Sequence, residues 1–273
     1  MKISMIQMNS VSDKPANIAA ATKLVEQAVA EEQPDWICLP ECFDFLGGDR
    51  AAKIAAAEAF PGGPAYGAMQ TLAKKHKVYI HAGSILEKPE AGDRIHNTTV
   101  VFDHTGTEIA RYRKIHMFDI TAPDGTKYNE STAFAPGDSV VTYSCGDIIV
   151  GCSICYDLRF PELFQALAAK GAEMIALPAA FTSQTGKDHW EVLCRARAIE
   201  TETYFCAPAQ TGFHVSGKEI RQTYGHSLAV DPWGHVIAKA SDGIGIVSTR
   251  IDRALVKKIR AQIPVARHKV RFD

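Results

Sequence analysis

The run Gly151-Cys152-Ser153-Ile154-Cys155-Tyr156-Asp157-Leu158-Arg159-Phe160-Pro161-Glu162 decides how the chain is read. It continues an apolar stretch, Asp147 to Cys152, that predicts a strand. Pro161 then opens a helical pattern with Leu163, Phe164, Leu167 and Ala168 on one face. A strand turning sharply into a helix presents the residue at the turn and leaves a backbone N–H free to face a reacting carbonyl. Cys155 occupies that turn. A thiol near a helix start also gains thiolate character from the local dipole. Taken alone, the residue reads equally well as a buried structural cysteine.

The same placement recurs twice upstream. Glu41 closes the run Ile37-Cys38-Leu39-Pro40-Glu41, and Lys114 follows a strand ending near Tyr112 in Arg111-Tyr112-Arg113-Lys114-Ile115-His116. In open α/β folds, ligands bind beyond the carboxyl ends of strands. A carboxylate at such a position is expensive to desolvate unless it is paired or used. Singly, each residue is also consistent with a solvated loop position.

Around these three runs, helices and strands are mixed. Strands are predicted near Lys2–Met8, Trp36–Leu39, Val78–Leu86, Asn97–Phe102, Glu108–Tyr112, Ser139–Tyr143, Met174–Leu177, Tyr204–Ala207, Ser227–Val230, His235–Lys239 and Gly245–Ile251. Helices are predicted over Lys14–Glu31, Ala52–Glu58, the segment after Pro64 to about Lys75, Asp188–Thr203 and Arg253–Gln262. Residues 113 to 138 carry no clean period, which in a compact domain marks a functional segment. The pattern predicts an α/β protein whose sheets pack together beneath covering helices. No linker, repeat or charge block divides it, so residues 1–273 read as a single domain.

Composition narrows the function. The chain is 46% hydrophobic and 22% charged with net charge −1, which gives no electrostatic case for nucleic acid or an acidic membrane surface. No stretch approaches the ~20 apolar residues of a spanning helix. The start, MKISMIQMNS, lacks a signal-peptide core. Seven cysteines, mostly in apolar surroundings, read as reduced thiols in a cytoplasm.

Together the three runs resemble the nitrilase superfamily of carbon–nitrogen hydrolases, and the resemblance covers nearly the whole chain. Glu41, Lys114 and Cys155 match its catalytic triad in order, and Glu130, in Tyr128-Asn129-Glu130-Ser131, matches a second glutamate between lysine and cysteine. Asp188-His189-Trp190-Glu191, Arg195-Ala196-Arg197-Ala198-Ile199-Glu200 and Tyr224-Gly225-His226-Ser227 agree as well. The resemblance implies an α-β-β-α sandwich, commonly a homodimer or larger homo-oligomer, with no metal or cofactor. It implies Cys155 as nucleophile, Glu41 as general base, and Lys114 with the Tyr156 backbone N–H as oxyanion donors. Glu130 would orient Lys114 and the substrate amide.

The branch most similar contains deaminated glutathione amidase and omega-amidase. The pattern Ala196-Arg197-Ala198-Ile199-Glu200-Thr201 through Tyr204 favours the former, and ammonia is the expected leaving group. Either 2-oxo acid needs a cation for its carboxylate, for which Arg159, Arg195 and Arg197 are candidates. The chain ends at Asp273, shortly after Pro264, where the resemblance implies a longer tail with dimer contacts.

Other classes are weaker. Cys152-x-x-Cys155 has thioredoxin-like spacing, but a redox motif explains neither Glu41 nor Lys114. Cys38-x₃-Cys42 with Cys152-x₂-Cys155 has zinc-ligand spacing, yet Cys38 falls on a buried-type strand. A scaffold with a dead site is disfavoured by the presence of all four expected catalytic residues. A Cys–His hydrolase would call on His116 or His226, and His116 suits a supporting position better.

Overall fold

A computed structural model describes residues 1–122, 125–216 and 219–270. Seven strands form a first sheet: β1 (Lys2–Gln7), β2 (Trp36–Cys38), β3 (Tyr79–His81), β4 (Ile85–Glu87), β5 (His96–Phe102), β6 (Glu108–Arg113) and β17 (Gly245–Arg250). Their order is β17-β1-β2-β3-β5-β4, with β6 also paired to β5. Here β1, β2 and β3 run parallel, and the remaining pairs are antiparallel.

Two ribbons stand apart: β7 (Asp119–Thr121) with β8 (Lys127–Asn129), and β13 (Thr211–Ser216) with β14 (Glu219–Tyr224). The second sheet holds β9 (Thr142–Cys145), β10 (Ile148–Cys152), β11 (Met174–Ala176), β12 (Tyr204–Ala207), β15 (Leu228–Val230) and β16 (Val236–Lys239), in the order β16-β15-β12-β11-β10-β9. The helices are α1 (Lys14–Glu32), α2 (Arg50–Ala56), α3 (Pro64–His76), α4 (Pro161–Ala169), α5 (Ser183–Thr201), α6 (Arg253–Gln262) and α7 (Val265–His268).

Side-chain alternation along the strands builds the layers. Ile3, Met5, Trp36 and Cys38 face the second sheet, where they share a core with Val150, Cys152, Met174 and Ala176. Their neighbours Ile6, Ile37 and Leu39 turn outward onto Ala21, Val25 and Ala28 of α1 and Met69 and Leu72 of α3. On the far side, Phe164 of α4 meets Phe205 of β12 at 5.7 Å between ring centroids. A Cβ at Gly151 would lie 3.1 Å from Leu167, so the glycine lets α4 lie close on β10. The layers are therefore α-β-β-α. Each large apolar side chain sealed between them contributes about 1.5–3 kcal/mol. A polar tie crosses the same interface: the Trp36 indole N–H donates to the Tyr143 hydroxyl at 2.8 Å. No described helix is long and apolar enough to cross a membrane.

Three local expectations are corrected. Val78 to Leu86 is two strands rather than one, because Gly83 (φ +43°) bends the backbone between β3 and β4. The irregular stretch 113–138 contains the β7–β8 ribbon and a 3-10 turn, Glu130–Thr132. The β13–β14 ribbon was not anticipated, because its apolar residues Phe213, Val215 and Ile220 point to solvent instead of marking a core face.

Gly83 ties this geometry to Glu41. A Cβ there would lie 2.1 Å from the carbonyl oxygen of Pro40 and 2.8 Å from that of Leu39. Gly83→Ala is expected to lower stability by about 2–3 kcal/mol, through a left-handed φ and an unavoidable backbone clash. Urea unfolding of the variant against the native chain measures the loss.

Candidate active site

Four residues that are far apart in sequence meet where strands of the two sheets end. Lys114 leaves β6 with its N–H donating to the Asn97 carbonyl on β5, at 2.9 Å. Its ammonium is 2% exposed and lies 3.1 Å from Glu41 Oε1 and 2.9 Å from both oxygens of Glu130. Burial works to lower the Lys114 pKa, but the charges of Glu130 and Glu41 outweigh it and hold the group well above its ordinary value. Lys114 is thus a fixed cation.

Glu41 is oriented at both carboxylate oxygens and at its carbonyl. Oε1 also accepts from the Asn97 amide at 2.9 Å, Oε2 accepts from the Ala180 backbone N–H at 2.9 Å, and its carbonyl accepts from the Gln210 amide at 3.0 Å. Glu130 opens the 3-10 turn, and its Oε2 accepts from the Phe118 N–H at 2.6 Å.

Cys155 follows β10 with φ +44°, a left-handed conformation that costs an L-residue about 1–3 kcal/mol. Its N–H donates to the Pro178 carbonyl at 2.9 Å. Burial pushes its thiol pKa well up, the Glu41 charge pushes the same way, and the Lys114 charge opposes them. The strained turn is held by Asp157, which is fully buried. Asp157 Oδ2 accepts from the Tyr112 hydroxyl at 2.6 Å and the Ile154 N–H at 2.8 Å. Its Oδ1 lies 2.7 Å from His116 Nδ1 and accepts from the His116 N–H at 3.2 Å. Sequence reasoning left Asp157 and Asn97 without roles, since a motif does not reveal which atoms a side chain satisfies.

The cluster forms the floor of a cavity of about 220 Å³. Phe45, Phe118, Tyr128, Phe181 and His214 supply much of its wall. Burial lowers the His214 pKa, and its two ring nitrogens lie 2.7 Å from the Ser10 carbonyl and the Thr223 hydroxyl. Tyr156 is half-buried, its ring set edge-on to Phe118 at 5.0 Å.

The arginine expectations change. Arg195 donates to the Gly234 carbonyl at 2.8 Å, and buried Arg197 donates to the Leu158 carbonyl at 3.0 Å and pairs with Glu200 at 2.8 Å. Both brace α5 against its neighbours, and neither lines the cavity. Arg159 lies behind the wall, its guanidinium 5.3 Å from the centre of the Phe181 ring and 3.4 Å from His189 Nδ1. The basic side chains that do line the cavity beside Lys114 are Arg50, Lys53, Lys127 and Arg221, none of which was anticipated. Among the rival partners, His116 is held by Asp157 and stacked on Phe160, and His226 Nδ1 lies 2.7 Å from the Tyr224 carbonyl. Cys38 and Cys152 pack in the core between the sheets.

The sequence matches the family model of carbon-nitrogen hydrolases over residues 2–261. It is 40% identical over 275 residues to a deaminated glutathione amidase of Synechocystis sp., spanning 97% of this chain and 96% of that protein. It is 34% identical over 283 residues to the omega-amidase NIT3 of Saccharomyces cerevisiae, spanning 100% and 94%. The crystal structure of Saccharomyces cerevisiae Nit3, described as a member of branch 10 of the nitrilase superfamily, superposes with TM-score 0.87 at 30% identity, covering 97% of this chain and 94% of that one. With the sandwich fold and this likeness along nearly its whole length, the chain belongs to the carbon–nitrogen hydrolases of the nitrilase superfamily and hydrolyses amide C–N bonds.

Proposed function

We propose that Cys155 is the nucleophile, Glu41 the general base and Lys114 the oxyanion donor of an amidase acting on a 2-oxo acid ω-amide, with deaminated glutathione preferred. The observation that carries this reading is one cluster: a thiol on a strained turn, under the charge of a buried carboxylate that also touches a fixed ammonium.

Glu41 takes the thiol proton as sulfur attacks the amide carbon, and the carbonyl oxygen becomes an oxyanion facing Lys114 and the Tyr156 N–H. Losing one such donor typically raises the barrier by ~3–4 kcal/mol. Collapse breaks the C–N bond, and Glu41 returns the proton to the departing amine, leaving a thioester. Water then attacks the thioester carbon and gives a proton to Glu41. The second collapse releases the acid, and the proton passes back to sulfur. Glu130 holds Lys114 and the amide in line.

The leaving group depends on the substrate. From 2-oxoglutaramate it is ammonia. In deaminated glutathione the amide joins the 2-oxoglutaryl group to cysteinylglycine, so the dipeptide leaves instead, and the expectation of ammonia applies only to the smaller amide. The common product is 2-oxoglutarate.

The proposal extends to a cytoplasmic homodimer. All seven cysteines are free thiols, which fits a reducing compartment. Val192 and Ile199 of α5 and nearby Trp233 are exposed apolar side chains of the kind an interface covers.

Release of 2-oxoglutarate from both amides is the decisive assay. Cys155→Ala is expected to lose more than about 10³-fold in rate. If neither amide yields 2-oxoglutarate while Cys155 still forms a thioester with another carboxamide, the substrate assignment fails and the mechanism stands. If no carboxamide modifies Cys155, the mechanism fails.

The charges around the thiol give a second test. Because Glu41 raises the Cys155 pKa, Glu41→Gln should move the midpoint of Cys155 alkylation by iodoacetamide to lower pH. The rate as a function of pH, read by peptide mass spectrometry, checks the direction. A midpoint that stays put or rises removes Glu41 from contact with the thiol.

A further inference from the structure

The donors around Glu41 are divided unequally between its two carboxylate oxygens. Oε1 accepts from the Lys114 ammonium at 3.1 Å and from the Asn97 amide at 2.9 Å. Oε2 accepts from the Ala180 N–H at 2.9 Å. Each oxygen of an ionised carboxylate offers about two lone-pair sites. Among the described residues, Oε1 is therefore filled and Oε2 keeps a site. The segment that supplies the Ala180 N–H also holds the nucleophile, since the Pro178 carbonyl accepts the Cys155 N–H at 2.9 Å. Burial raises the Cys155 thiol pKa, and the Ala180 N–H is among the groups that pull it back, so one N–H acts on both Oε2 and the sulfur.

Asn97 is 1% exposed and does not line the cavity. Its place on β5 is fixed from both sides: it pairs with Leu86 of β4, and its carbonyl accepts the Lys114 N–H at 2.9 Å. Lys114 and Asn97 thus reach Oε1 as two donors tied to each other through the backbone. The other end of the amide, Oδ1, has no hydrogen-bond partner among the described residues. Turning the amide over would set Oδ1 against Oε1, acceptor against acceptor. A buried amide satisfied at one end costs stability, and what it secures here is the Nδ2 donor.

We propose that Asn97 is a positioning residue for the reaction: by filling Oε1 together with Lys114, it turns Oε2 to the thiol as the atom that takes the proton. This rests on the amidase reading above and deepens it. In the transfer the S–H bond breaks, an O–H bond forms at Oε2, and the electron pair left on sulfur goes to the amide carbon. Asn97 lies outside the cavity and acts through Glu41.

The test compares Asn97→Leu, close in size and without a donor, with Asn97→Asp, whose carboxyl can donate to Oε1 only when protonated. For release of 2-oxoglutarate from deaminated glutathione, Asn97→Leu should lower kcat by about tenfold or more, the scale of a misplaced reacting group, and leave KM within about twofold. Lys114, Glu130 and the Cys155 and Cys42 thiols surround Glu41 in the native chain and in both variants. Rates are therefore expressed relative to the native chain at each pH. The Asn97→Asp deficit should narrow as pH falls, whereas the Asn97→Leu deficit should stay constant, a difference that a merely structural role does not produce. If Asn97→Leu does not fold, the Asn97→Asp profile decides alone. Native kcat in Asn97→Leu, a change confined to KM, or an Asn97→Asp deficit independent of pH would overturn the assignment. If the native chain leaves deaminated glutathione intact, the substrate reading fails, and the variants are compared by the rate at which another carboxamide acylates Cys155, which needs the same proton transfer. Acylation by no carboxamide would overturn both.

Discussion

A buried ammonium between two carboxylates is the constraint on which the site depends. Lys114 reaches its place only because β2, β3, β5 and β6 pair in one register. Thr98 sits opposite Arg113, which brings Asn97 beside Lys114 and aims its amide at Glu41. Removing one partner of such a buried group typically costs 3–5 kcal/mol, because an uncompensated charge remains. The arrangement therefore specifies the register of the first sheet as well as the chemistry. A one-residue slip of β6 would turn Lys114 to the opposite face and strand both glutamates.

The proposed nucleophile comes from the other sheet, so the groups assigned to the reaction straddle the sandwich. Glu41 crosses from the first sheet to the Ala180 N–H beyond β11, and Tyr112 of β6 crosses to Asp157 beneath the Cys155 turn. Asp157 collects four donor contacts from residues 112, 116 and 154. A buried carboxylate so completely satisfied can hold a strained φ in place. The apolar core between the sheets thus acts as a ruler: its thickness fixes the gap that Glu41 and the thiol must bridge.

Much of this was legible in the sequence because strand ends are legible. An apolar run followed by a charged or nucleophilic residue places that residue at a sheet edge, and three such runs converged on one family pattern. What escaped depended on tertiary facing. Arg195 and Arg197 are two positions apart on a helix, hence on nearly opposite sides, and could not both have faced one cavity. Gly83 lies within an apolar run, and nothing in that pattern shows the Pro40 carbonyl pressed against it. The β13–β14 ribbon points Phe213, Val215 and Ile220 outward, so it lacks the inward apolar face by which a core strand is recognised. Lys127 and Arg221 read as ordinary surface charge until the two ribbons are brought to one cavity.

The raised thiol pKa fits the proposed chemistry. A cysteine paired with an imidazolium rests as a thiolate, whereas burial and Glu41 hold Cys155 as a neutral thiol. Passing its proton to Glu41 moves a negative charge from one neighbour of Lys114 to another and leaves the cluster's net charge unchanged. In a low-dielectric cavity that matters, since interactions between charges are several-fold stronger there than in water and a change in net charge is penalised accordingly. A base outside the cluster would carry the proton away and leave an extra negative charge against two glutamates. Keeping the proton inside lets the charge shift from carboxylate to sulfur to oxyanion, always within reach of the same ammonium.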